Sequence, residues 1–142
     1  MITTATPEAV IRELIDVGFN RGDLAALADL VAPDSVEHQV GSEGGIDGVR
    51  ALITELRTAI PDLHLVIEDV VTDGDKVWVR MRSTGTNTGP MRGRPPSGRP
   101  VEVNVFDIVR VVDGRIVEHW GVADRLTMLQ QMGVPVGGPP RS

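Results

Sequence analysis

Few side chains in this 142-residue chain could do chemistry. There is no cysteine, so no thiolate nucleophile, no disulfide and no cysteine metal ligand. No GxSxG occurs, so a hydrolase-type triad has no support. Carboxylates and three histidines remain. In VEVNVFDIVRVVDGRIVEHWGVAD (101–124), one row reads Val101, Val103, Val105, Asp107, Val109, Val111. A carboxylate among valines is costly unless it is hydrogen-bonded, protonated or wet. Asp107 is therefore either a buried acid bonded to a backbone or Trp N–H, or an acid lining a ligand pocket. His38 raises the same question between Val36 and Val40. A lone histidine there is more often a satisfied core group than a catalyst. His64 and His119 fall on other elements and no HxxxH or HxH spacing occurs, so no metal site is expected. GSEGG and GPMRGRPPSG fit neither a P-loop nor a dinucleotide fingerprint.

The elements that must position these groups can be read from period and punctuation. Thr6-Pro7 opens a helix with Val10, Ile11, Leu14, Ile15 and Gly18 on one stripe, broken at Asn20-Arg21-Gly22. Asp23 caps a second short helix that Pro33 ends, and VEHQV (36–40) alternates as a strand. Asp47 caps a third helix closed by Pro61. The period then changes to two. Leu63, Leu65 and Ile67 share one face, as do Val77, Val79 and Met81, which turns Arg80 outward. Residues 86–100, rich in Gly, Pro and Arg, form a long hairpin connection. Two long strands and a short helix from Asp124 follow, where Asp124 can serve as N-cap. Residues 1–133 make one domain and 134–142 a flexible C-terminal tail. Helices followed by strands argue an α+β domain.

Asp113-Gly114 signals a two-residue type I′ turn. Counting outward from it places Asp107 opposite Trp120, Val105 opposite Val122, and Val103 opposite Asp124. The valine face then gathers Ile116, Trp120 and Val122 with the carboxylates Asp107, Glu118 and Asp124, Glu118 lying nearest the rim. A one-residue slip would instead carry His119 beside the valines and turn Trp120 and Asp124 away. An apolar face with a few inward polar groups, covered by helices, describes a small-molecule pocket. Net charge of −6 argues against a nucleic-acid binder, and no leader or membrane span is evident, so a cytoplasmic protein is expected.

The segments GTNTGPMRGRPPSGRPVEV and IVRVVDGRIVEHWGVADRLTMLQQMG resemble the SnoaL-like polyketide cyclases of the nuclear transport factor two-like superfamily. The resemblance spans nearly all of 7–133. It implies a cone-shaped barrel, with a curved, mostly antiparallel sheet wrapped around N-terminal helices and a deep apolar cavity. It also implies a homodimer or homotetramer through the outer sheet face, and ring closure by an intramolecular aldol reaction without a cofactor. The catalytic Asp of the WxxxD pattern falls on Asp124, and the inward His of the early strand falls on His38. Asn87 and Asp107 stand where many relatives carry His.

Together these readings predict a cofactor-independent cyclase or isomerase acting on a polyketide-like, apolar carbonyl compound. Asp124 is the expected general acid/base, its pKa raised by burial, and Asp107 a second acid/base. His38 and Asn87 would hydrogen-bond the enolate or alkoxide, with Trp120, Val103, Val105 and Val122 against the ligand. Two alternatives stay open. One is epoxide-hydrolase-like water addition between two acids and an arginine, which needs Arg80 inward. The other is a binding module without catalysis.

Overall fold

A computed structural model describes residues 5–135. Residues 136–142 of the tail expected at 134–142 lie outside the described residues. The first helix, α1 (Pro7–Glu13), starts as its sequence dictates. Thr6 is extended and its hydroxyl accepts from the Ala9 N–H at 3.2 Å, with Pro7 in the first turn. It runs on as a π-helical segment, Leu14–Asn20, which buries Leu14, Ile15 and Gly18. Asp23 then accepts from the Ala26 N–H, capping only a short 3₁₀ turn, Ala25–Asp29.

The second helix expected up to Pro33 is replaced by strand β1 (Val31–Glu37). β1 is a sheet edge and runs parallel to its one neighbour, with the pairing interrupted between Val31 and Val36. An edge strand tolerates Pro33, which has no N–H to donate. The next helix, α2 (Gly45–Ala59), begins two residues before Asp47, with Gly44 as its cap. Asp47 therefore lies in the first turn, where the helix dipole favours an acid, and pairs with Arg50 at 3.3 Å.

Strands β2 (His64–Asp73), β3 (Lys76–Thr86), β4 (Pro100–Val112) and β5 (Arg115–Ala123) are antiparallel, and α3 (Arg125–Gln131) closes the fold. The sheet order is β1-β5-β4-β3-β2. The sheet curves without closing, so the fold is an α+β cone rather than a sealed barrel. Its inner face packs Val77, Val79, Met81, Val109 and Val111 against Ile11, Leu27 and Ile53 from the helical layer, all buried. No helix among the described residues is long and apolar enough to cross a membrane.

The β4–β5 hairpin positions the site and overturns one expectation. Its turn is the expected one: Asp113 and Gly114 have φ of 52° and 77°, and Val112 pairs with Arg115. Val111 pairs with Ile116, but Arg110 pairs with Glu118, so a β-bulge absorbs Val117. Every later residue of β5 changes face. Val109 now pairs with His119, Asp107 with Gly121 and Val105 with Ala123. The unshifted register would set the Glu118 carboxylate beside Val109, which is 1% exposed. The bulge instead turns Glu118 outward, to Arg110 at 3.0 Å and His38 at 2.7 Å. Avoiding a buried, unpaired charge favours that choice.

Candidate active site: a carboxylate–imidazole–carboxylate cluster in an apolar cavity

The cavity lies between the helical layer and the concave sheet face. Its walls are mostly aliphatic, including Ile11, Leu56, Val103, Val105 and Val109. Polar groups on its wall come from four strands and from the segments beside them, Ser83 of β3 and Ser42, Glu43, Asp124 and Arg125 among them. β1 and the residues just after it contribute Ser35, Glu37 and Gln39, β4 contributes Asp107, and the bulged β5 contributes His119. The alternation in β1 is thus inverted with respect to hydropathy. Val36 and Val40, 50% and 89% exposed, point away, while polar residues point in.

His119 is the centre of the cluster. Its Nε2 lies 3.1 Å from Asp107 Oδ1, and its Nδ1 lies 2.7 and 2.8 Å from the two oxygens of Glu37. Glu37 also accepts from the Gln39 N–H at 2.8 Å. Burial alone would push the imidazole towards its neutral form. Hydrogen bonds and charge from Asp107 and Glu37 outweigh it and raise the pKa to about 9. With its pKa raised to about 9, His119 is an imidazolium at neutral pH, with Glu37 at Nδ1 and Asp107 at Nε2.

Gly121, opposite Asp107, lets this cluster close. A Cβ at 121 would overlap Asp107 Oδ1 and would sit 2.6 Å from Gln39 Oε1 and 2.8 Å from His119 Cε1. The position admits no side chain while the three groups stay in place.

The residues expected from sequence are distributed unevenly over this geometry. Asp107, Asp124, Val103 and Val105 line the cavity. Asp124, however, is exposed and engaged as the N-cap of α3. Its Oδ1 accepts from the Thr127 N–H at 3.1 Å and its Oδ2 from the Thr127 hydroxyl at 2.7 Å. Those bonds hold its pKa below the usual value, the reverse of the expected rise by burial.

His38 and Trp120 are on the outer face. Their rings stack with centroids 4.9 Å apart and planes at 8°, and Lys76 Nζ sits 5.3 Å from the Trp120 centroid. Val122 is 70% exposed there, carried outward by the bulge. Asn87 is fully buried away from the cavity. It donates to the carbonyls of Ala59 and Gly89 at 3.1 and 3.0 Å and accepts from the Ser97 N–H at 2.9 Å, so it braces the β3–β4 connection. Arg80 points outward as expected and pairs with Asp69 at 3.9 Å. The two-acids-and-Arg80 site needed for epoxide hydrolysis is thus not formed.

Sequence reasoning missed Glu37 and His119. The signal for His119 was its place on the slipped register. For Glu37 it was the polar half of the alternation at 35–39.

Comparison with known proteins agrees with the fold. The family described as SnoaL-like polyketide cyclase matches residues 9–132. Aklanonic acid methyl ester cyclase DnrD of Streptomyces peucetius is 26% identical over 134 residues, 89% of this chain and 90% of that protein. Among solved structures, TsrD from Streptomyces laurentii superposes with a TM-score of 0.83 at 31% identity, covering 95% of this chain and all (100%) of that one. IdmH from Streptomyces antibioticus superposes with a TM-score of 0.81 at 36% identity, covering 92% of this chain and 100% of the other.

Proposed function

The chain belongs to the SnoaL-like polyketide cyclase family, and from that premise we propose that it closes a ring in an apolar polyketide-like ester or acid, with Asp107 as the acid–base group. The observation that carries this reading is the Asp107–His119–Glu37 cluster on the wall of an otherwise aliphatic cavity.

The chemistry follows from the groups present. A carbon flanked by carbonyls gives its proton to the Asp107 carboxylate, leaving an enolate. The enolate carbon bonds to a second carbonyl carbon of the same molecule, whose C=O π electrons become an alkoxide. Asp107 returns the proton to that oxygen. One proton leaves and one returns, so product and substrate have the same mass. His119 does not have to surrender a proton. Its cation, oriented by Glu37, stabilises negative charge as it moves from Asp107 to the enolate and alkoxide. The dry aliphatic walls strengthen that attraction and keep competing water away. Asp124 is a weaker candidate for the base, because both its oxygens already accept from Thr127.

Aklanonic acid methyl ester, the compound named for the Streptomyces peucetius relative, is the first substrate to try. The expected product is an isomer of unchanged mass, and Asp107→Asn should lower the rate by about 100-fold or more while ligand binding and the circular dichroism spectrum hold. Gain of one water would point instead to hydration. Saturable binding without any product, in both proteins, would make the chain a binding module and sink the proposal.

A further inference from the structure

One charged group on the cavity wall has no part in the chemistry above. Arg125 is the first residue of α3, half-buried, and lines the cavity close to Asp124. Among the described residues its guanidinium makes no hydrogen bond and no ion pair. Glu43 and Asp124 line the same cavity, yet neither lies within 4.0 Å of it. The group is nonetheless placed. It packs against the backbone of Gly41, whose φ is +84°, so closely that a Cβ at 41 would stand 3.3 Å from Nη1.

Helix stability does not explain Arg125, because a cation in the first turn meets the positive end of the helix dipole. Nor does the aliphatic wall call for it. A fork of N–H donors on a residue that lines a cavity is suited to a carboxylate, which it can bind through two parallel bonds.

The spacing from the acid–base cluster also fits a ligand. Asp124, next to Arg125, bonds through its N–H to the Asn104 carbonyl at 3.1 Å. Asn104 is three residues along β4 from Asp107, about 10 Å of strand. The backbone segments that carry the two groups are thus about 10 Å apart, a length that a flat fused-ring compound can span.

We propose that Arg125 is an anion dock of the cavity and that the substrate is a free carboxylic acid, in contrast to the neutral methyl ester named for the Streptomyces peucetius relative. This rests on the cyclase reading for the orientation of the ligand, but its test reads binding alone.

Anthraquinone-2-carboxylate and its methyl ester serve as matched probes in titration calorimetry at neutral pH. The wild-type chain should bind the acid about tenfold or more tightly than the ester, the scale of a charge-assisted bond. Arg125→Gln should bring the acid down to the affinity of the ester and leave the ester unchanged. Arg125→Lys should restore part of the preference. A wild type that binds both probes equally overturns the proposal and leaves the cyclase reading intact. So does an acid preference that survives Arg125→Gln, which would assign it to the His119 cation, or a variant that loses both probes alike. Binding of neither probe by the wild type would count against the apolar-ligand cavity as well.

Discussion

At the scale of single residues, His119 determines what the other two groups can do. It bridges the Asp107 and Glu37 carboxylates, which sit on either side of its ring at the cavity wall. The same arrangement makes folding depend on pH. The histidine pKa is raised in the folded chain, from an ordinary 6.5 to about 9, so the folded state binds the proton more tightly. The resulting stability is fully present below about pH 6.5 and is lost as pH rises through about 9. Its size is roughly 3 kcal/mol. Denaturant titrations at pH 6 and pH 10 should differ by an amount of that order, and the difference should vanish in His119→Gln. A wild-type curve flat across that range would mean that His119 is not held as a cation.

At the scale of elements, the β5 bulge has the largest consequence. Much of the fold was legible without it: the start of α1, the break at Asn20-Arg21-Gly22, the inward faces of β2 and β3, the Asp-Gly turn and the valine row of β4. Period and punctuation carry those features, because they reflect local sterics and one-sided burial. The inward face of β5 was not legible, because a single extra residue inverts all that follows and leaves no local mark in the sequence. The face of β1 was misread for a different reason. Hydropathy assigns Val36 and Val40 to the interior, but a cavity that must hold Glu37 and Gln39 reverses the rule. Asn87 looked like a ligand contact and instead satisfies a buried loop.

Gly121 follows from the same bulge, since the shifted register places it opposite Asp107. Gly121→Ala should push the Asp107 and His119 side chains apart. Displacement of a catalytic group by about an ångström costs on the order of 100-fold in rate. Turnover should therefore fall nearly as far as in Asp107→Asn, while circular dichroism stays that of the wild type. Unchanged turnover would show that the close approach of these groups is not needed.

At the scale of the molecule, the helical layer covers the concave face of the sheet, while the convex face carries an apolar patch that nothing among the described residues covers. The convex side exposes Val71, Trp78, Phe106 and Val122, at 61%, 53%, 54% and 70%. A contiguous apolar patch of this kind on a sheet marks an association surface. The expected occupant is a second copy of the chain, packed sheet to sheet, so that each conceals the other's patch. Sedimentation should give a dimer or a larger closed assembly. Trp78→Glu with Phe106→Glu should give monomers that still bind cavity ligands, since these side chains point away from the cavity. Monomeric wild-type protein would assign the patch to some other partner.

The central claim is that Asp107 removes a proton from carbon within the cavity. It is tested most directly with a cyclic β-keto ester that has an acidic C–H but no second carbonyl in reach, incubated with the protein in D2O. Exchange at that carbon, followed by proton NMR, isolates the first step from ring closure. The wild-type chain should accelerate deuterium uptake over buffer, Asp107→Asn should return it to the buffer rate, and Asp124→Asn should retain most of it. Uptake that persists in Asp107→Asn and disappears in Asp124→Asn would contradict the account and return the base to the mouth of the cavity.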